Sequence, residues 1–188
     1  MSTANVVKLA YVGRQPGTTA RDSDSWFTPA SYIERARSSL PNGVIDFDPF
    51  SSVAANRTVR ANVYYTVDDD ALTKEWPRVR SVWMNPPYSG ALCSNAVNRF
   101  CDEYVSGTFD AGVILVNNAT ETKWFQRMLK LATTVCFTSH RISFENIDGK
   151  RKSGTTRGQA FLYFGLNSAR FTEAFSDVGA VIDLENVT

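Results

Sequence analysis

The sequence is poor in the residues that covalent and metal-dependent catalysis most often use. Its 188 residues include one histidine, His140, and three cysteines, Cys93, Cys101 and Cys136. A lone histidine without an obvious partner argues against a Ser-His-Asp triad or a histidine base. His140 reads as structural or as lying near a phosphate. The irregular cysteine spacing gives neither a disulfide framework nor a CxxC metal knuckle. The thiols read as small buried apolar groups in a reducing cytoplasm, the first two on one helix. No run of 18 apolar residues occurs, so no transmembrane helix is expected. The opening MSTANVVKLAYVGRQPG lacks the basic segment and long apolar core of a secretory signal. Excess charge of one sign is missing too, since the net charge is +1.

What is present is an ordinary globular composition, 43% apolar and 21% charged. A chain of this length buries roughly 70% of its unfolded surface and needs no disulfide or metal staple. We read residues 1–25 as a loose polar arm and 26–188 as a single domain. Charge is distributed unevenly. Residues 123–157 carry eight basic and two acidic side chains, and residues 171–188 carry four acids and no base. Such asymmetry points to a surface facing a polyanion.

Hydrophobic patterning alternates between helix and strand. Helices are expected at 30–40, 51–60, 91–104 and 121–132, with one helical turn at 72–76. Strands are expected at 43–48, 62–66, 79–84, 111–116, 133–137, 140–144 and 159–165. Near-continuous apolar strands alternating with helices predict an α/β, Rossmann-like, mostly parallel sheet. The strands after residue 133 have no helix between them, so an antiparallel hairpin should close the sheet near the C-terminus. In such folds the ligand lies at the carboxyl ends of the strands, where Asp48 and Asn85 fall.

The strongest chemical signal is Asn85-Pro86-Pro87-Tyr88, directly after a strand. Two prolines supply no N–H and force Asn85 out of helical geometry, giving a stiff extended turn. The Asn85 side-chain oxygen and a neighbouring carbonyl can then accept from one NH2 group. An exocyclic amine conjugated to a ring is a poor nucleophile. Two acceptors localise its lone pair and stabilise the positive charge that grows on nitrogen during methyl transfer. Tyr88 can stack on the base, which must first leave the duplex. Asp48 is favoured over Asp46 as the functional acid of the first strand, and Asp46 is read as a supporting one. Asp68-Asp69-Asp70 reads as a solvated turn, and no metal is expected. Asp148–Gly158, with four basic residues, suits a loop that meets phosphates.

From Trp26 to Gly165 the chain resembles the phage-type, Dam-like DNA N6-adenine methyltransferases. The resemblance rests on Trp26-x-Thr28-Pro29, Asp48-Pro49-x-Ser51-Ser52 with Asn56, Asp70-x-Leu72 with Trp76, and Asn85–Ser89. It continues through Val116–Thr120, Trp124-Phe125 and Arg141-Ile142-x-Phe144. It implies transfer of methyl from S-adenosylmethionine to a flipped-out adenine of double-stranded DNA, in the cytoplasm of a bacterial host. It implies a catalytic loop of Asn85, Pro86, Pro87 and Tyr88. It implies cofactor contacts from Trp26, Thr28, Pro29, Asp48, Phe50, Ser51, Asp70, Leu72 and Asn85, with Asp48 on the methionine ammonium. Lys150, Arg151, Lys152, Arg157 and Arg141 are the expected DNA contacts. The turn after the first strand departs from the usual pattern, because Asp48–Val53 contains no glycine. Other readings are transfer to RNA adenine or another planar amino group, and a degenerate fold that only binds nucleic acid. Monomer and homodimer both remain open.

Overall fold

The computed structural model describes residues 27–88, 90–145 and 157–184. Its first helix, α1, spans Ala30–Ser39 and buries Ile33 and Ala36 along one stripe. Pro41-Asn42-Gly43 ends it, with Asn42 and Gly43 at φ of 58° and 64°. There follow β1 (Phe47–Asp48), α2 (Val53–Val59), β2 (Val63–Tyr64), β3 (Val79–Met84) and α3 (Gly90–Val105). Then come β4 (Phe109–Asn117), α4 (Lys123–Leu131), β5 (Thr134–Thr138), β6 (Gln159–Phe164), α5 (Ala169–Phe175) and β7 (Gly179–Asp183). Side-chain caps start two helices. Ser52 Oγ accepts from the Ala55 amide at 3.0 Å, and Thr122 Oγ1 accepts from the Phe125 amide at 3.3 Å.

The strands form one seven-stranded sheet in the order β2-β1-β3-β4-β6-β5-β7. The pairs β2–β1, β1–β3 and β3–β4 are parallel. The pairs β4–β6, β6–β5 and β5–β7 are antiparallel. Five strands therefore run one way and two the other. Alternation along β4 divides the core. Ile114 and Val116 join Phe47, Met84, Phe100, Phe125 and Phe164 under α3 and α4. Val113 and Leu115 join Ile33, Trp83, Phe161 and Phe175 under α1 and α5. Both faces are thus covered, which explains why the strands read as unbroken apolar runs. Gly112 is needed for close approach, because a Cβ there would lie 2.7 Å from the Phe100 ring.

The mixed α/β sheet follows the sequence pattern, with local corrections. Residues 72–76 form no helix; the amides of Thr73 and Lys74 close a turn on the Asp70 carbonyl, both at 2.9 Å. Residues 140–144 form no strand, and only Glu145 makes an isolated bridge, to Phe27. The antiparallel strand is present as β6, but it inserts between β4 and β5 and does not close the edge. The edge is β7, reached through α5, and the sequence reading had neither element. All three cysteines are free and buried, as expected, with Cys93 and Cys101 on α3. Burial pushes their thiols up, to about 11 for Cys93 and Cys136 and about 12 for Cys101.

Candidate active site

The chain reverses its direction of travel across the sheet between β1 and β3. From β1 it goes outward to β2, and from β3 it goes the other way to β4. That reversal opens a crevice at the carboxyl ends of these strands. Asp48 ends β1 on one side and Asn85 follows β3 on the other. Paired strands lie roughly 4.8 Å apart, so the two residues border one cleft.

On the β1 side the carboxyl of Asp48 is almost wholly buried, at 2% exposure. Its Oδ1 accepts from the Phe50 amide at 3.2 Å. Burial pushes the carboxyl up to about 7, against the opposing pull of the Ser51 hydroxyl and the Phe50 amide. Ser51 is also buried, and its Oγ has no well-formed hydrogen bond. Phe50 packs partly buried against the core. The loop is tied to β2 by Ser51 N–H to Tyr65 O, at 2.9 Å, and Tyr65 N–H to Asp48 O, at 3.0 Å. None of residues 48–53 has a positive φ. The missing glycine thus has a physical account, since this turn needs no left-handed backbone. A buried carboxyl with spare acceptor capacity beside an orphan hydroxyl fits a ligand carrying an ammonium group.

On the β3 side the Asn85 carboxamide is held at both ends. Its Nδ2 donates to Thr28 Oγ1 at 3.1 Å, and its Oδ1 accepts from the Tyr88 hydroxyl at 2.6 Å. The Tyr88 hydroxyl also lies 3.4 Å from the Leu115 carbonyl. Burial raises the Tyr88 phenol well above its ordinary value, with the Cys93 thiol adding to the effect, so it stays a donor. The Tyr88 ring meets Phe144 edge-on at 6.2 Å between centroids. Two chain segments are clipped together over this point. Phe27 N–H donates to Glu145 O at 2.6 Å, and Glu145 N–H to Phe27 O at 3.0 Å. Pro29 follows directly and starts α1 as its N-cap residue.

The expected site residues therefore divide into groups. Thr28, Asn85 and Tyr88 share one hydrogen-bonded chain, with Pro86 and Pro87 inside its turn. Asp48, Phe50 and Ser51 share one loop. Asp70 and Leu72 belong to a separate turn. Asp70 has φ of 55° and accepts from Thr73 Oγ1 at 3.1 Å, and the Leu72 carbonyl accepts from Arg99 at 3.3 Å. Arg141 and Arg157 are exposed. Trp26, Lys150, Arg151 and Lys152 lie outside the described residues, as does the arm at 1–25. The sequence reading gave Phe144 no role at the site and gave Gln159 none at all. Gln159 is buried, takes the Ile142 amide at 2.9 Å and donates to the Arg157 carbonyl at 2.7 Å. A polar residue opening an apolar strand was the available signal. His140 is held by Tyr32 at 2.6 Å, which agrees with a structural part.

Sheet order and crevice together are those of a Rossmann-like α/β fold with a ligand cleft at the carboxyl ends of its parallel strands. Within that class the chain belongs to the DNA N-6-adenine-methyltransferase (Dam) family, whose model matches residues 15–175. It is similar to the DNA N-6-adenine-methyltransferase of Haemophilus phage HP1 (strain HP1c1). The two are 29% identical over 149 residues, which is 78% of this chain and 82% of the relative. Among solved structures, the METTL16 MTase domain gives a TM-score of 0.40 at 10% identity. That match covers 73% of this chain and 66% of the other, just under two thirds of its length. The human methyltransferase 10 domain containing protein gives 0.39 at 12% identity, over 87% and 81% of the two chains. No helix among the described residues is long and apolar enough to cross a membrane.

Proposed function

We propose that the chain methylates the N6 amine of adenine in duplex DNA, using S-adenosylmethionine and a base turned out of the helix. The carrying observation is the Asn85 carboxamide, fixed by two hydrogen bonds at the end of β3, beside the strand that ends in Asp48. When bound, S-adenosylmethionine supplies a methyl group made electrophilic by its sulfonium. The chain's own residues would do the rest. Asp48 holds the ammonium end of the methionine moiety as a carboxylate, with Ser51 and Phe50 beside it. Trp26, Pro29, Asp70 and Leu72 complete the proposed cofactor contacts.

Asn85 Oδ1 has two lone pairs, and Tyr88 uses one. The second accepts from the adenine amine, and a carbonyl of the Asn85–Pro87 turn accepts its other hydrogen. Both contacts strengthen as positive charge grows on nitrogen, so they favour the transition state over the ground state. The Tyr88 and Phe144 rings offer apolar surface to the displaced base, which offsets part of its unstacking cost. Asn85 is too weak a base to keep the proton that leaves the methylated nitrogen, so the proton passes to solvent. Arg141, Arg157, Lys150, Arg151 and Lys152 are the proposed phosphate contacts, on the strength of the charge distribution.

The test is to incubate the protein with unmethylated duplex DNA and S-adenosylmethionine, digest to nucleosides and quantify N6-methyl-2′-deoxyadenosine by mass spectrometry. Product is expected from the parent, and about 100-fold less from Asn85→Ala. Methylated RNA or protein in place of DNA would move the substrate. Cofactor binding without any transfer would move the reading to a nucleic-acid-binding module.

A further inference from the structure

An asparagine used as an acceptor has a weakness that its surroundings must correct. A half-turn about the last side-chain bond exchanges Oδ1 and Nδ2. One orientation accepts from an amine, whereas the other points a donor at a donor. Packing barely distinguishes the two, because the groups are nearly the same size.

We propose that Thr28 is the residue that sets this orientation, and that it serves as a positioning residue for Asn85 and not as a cofactor contact. The inference rests on the methyl-transfer reading given above. Thr28 and Tyr88 grip opposite ends of the carboxamide, at 3.1 Å from Nδ2 and 2.6 Å from Oδ1. Either hydroxyl can in principle donate or accept. They are nevertheless unequal. The phenol is the more acidic and therefore the better donor. The aliphatic hydroxyl keeps its lone pairs and is the better acceptor. The pair therefore favours the orientation that places Oδ1 at Tyr88 and Nδ2 at Thr28, which leaves the spare Oδ1 lone pair for substrate. Swapping the amide would ask each hydroxyl for its weaker role.

Thr28 is also held where it can do this. It is 7% exposed, between the two-way bridge of Phe27 with Glu145 and the proline that starts α1. Its hydroxyl is therefore aimed by backbone that has little freedom. That hydroxyl accepts from Asn85 Nδ2, so its acceptor capacity is directed at the catalytic turn.

The experiment compares Thr28→Val, Thr28→Ala and Thr28→Ser with the parent in two independent readouts. The first separates kcat from the dissociation constant for S-adenosylmethionine. Val and Ala should lower kcat about 10- to 100-fold, with cofactor affinity within about twofold, and Ser should restore kcat to within about threefold. A tenfold loss of cofactor affinity with kcat intact at saturation would make Thr28 a cofactor contact and overturn the proposal. The second readout needs no turnover. The Asn85 side-chain NH2 resonances, assigned by their disappearance in Asn85→Asp, should shift in Val and Ala and exchange about tenfold faster with water. In Ser they should stay at the parent positions. Unchanged Asn85 resonances in Val and Ala would overturn the proposal whatever the kinetics. If the parent fails to methylate DNA, the methyl-transfer reading fails by that result, and the resonances still decide the role of Thr28. A thermal midpoint for each variant separates local loss from misfolding, and Ala serves if Val does not fold.

Discussion

Two aspartates two residues apart have opposite surroundings. Asp46 spends its acceptors inside the fold. Its Oδ1 takes Asn62 Nδ2 at 3.0 Å, and its Oδ2 takes the amides of Arg80 at 3.3 Å and Ser81 at 3.2 Å. Ser81 Oγ lies 3.1 Å from the same oxygen and shares its proton with the Val44 carbonyl. Asp46 thereby staples the approach to β1 onto β3. Asp48 is the more deeply buried of the two, yet one amide, at 3.2 Å, and a weak contact from the Ser51 hydroxyl are all it takes from its own loop. Burial with so little hydrogen bonding is unfavourable for a carboxylate, which is why its carboxyl is pushed up to about 7 against the pull of Ser51 and Phe50. A structural acid has its acceptors filled by the fold, whereas a binding acid keeps them for something else.

The largest way to break this comparison is Asp48→Asn. Removing the charge should weaken S-adenosylmethionine binding about 100-fold by titration calorimetry, since a charge-assisted contact is replaced by a neutral one. The same variant should make the free protein more stable at alkaline pH. The sign follows from linkage. The folded carboxyl sits at about 7 and the unfolded one near 3.8, so the folded state holds the extra proton between these values. The stability contributed by this group is complete below 3.8 and is lost as pH rises through 7. Asparagine does not titrate, so the parent alone should lose stability between pH 4 and 7. At pH 8 the variant should be ahead by about 1–3 kcal/mol in urea unfolding, less than the full linkage value because the new amide also lacks partners. Cofactor affinity of the parent should rise about tenfold from pH 6 to pH 8. A variant that binds the cofactor normally would end the distinction drawn here.

Asp46→Ala should do the reverse. It strands the Arg80 and Ser81 amides and should cost about 2 kcal/mol of stability, while folded molecules keep cofactor affinity within about twofold. A loss of affinity in excess of the loss of folded protein would place Asp46 in the site.

The contrast was only partly legible from sequence. The pattern of apolar strands, with Asn-Pro-Pro-Tyr after one of them, was enough to place Asp48 and Asn85 at neighbouring strand ends. Helices such as Gly90–Val105 were readable because their apolar stripes repeat every turn. What failed had both local and distant causes. Residues 72–76 have helical composition, but Asp70 at φ 55° turns the chain and captures the following amides. The helix Ala169–Phe175 had a signal in Phe171 and Phe175, four apart and both fully buried. The strand after it, Gly179–Asp183, is apolar apart from its last residue, a run of the strand type too short to stand out at the end of the chain. The bond from Asn85 to Thr28 spans 57 positions and depends on the bridge between Phe27 and Glu145. No local pattern reports such a pairing.

The smallest effect gives the finest test. Ser51 lies close to Asp48, its backbone is already secured to Tyr65, and its hydroxyl has no well-formed hydrogen bond, only a weak pull on the Asp48 carboxyl. An unpaired buried hydroxyl is a standing cost of about 1 kcal/mol. If the group only fills space, Ser51→Ala removes that cost, raises the unfolding free energy by up to about 1 kcal/mol and leaves cofactor affinity unchanged. If the hydroxyl is kept for the ligand, as its place beside Asp48 implies, the stability gain should come with about fivefold weaker S-adenosylmethionine binding. Gain of stability with loss of affinity, in one substitution that removes a single oxygen, is the outcome expected of a loop shaped for binding. It is the Asp48 pattern repeated on a neutral group, and because the Ser51 hydroxyl also pulls the Asp48 carboxyl down, the comparison is made well above pH 7, where that carboxyl is ionised in both proteins.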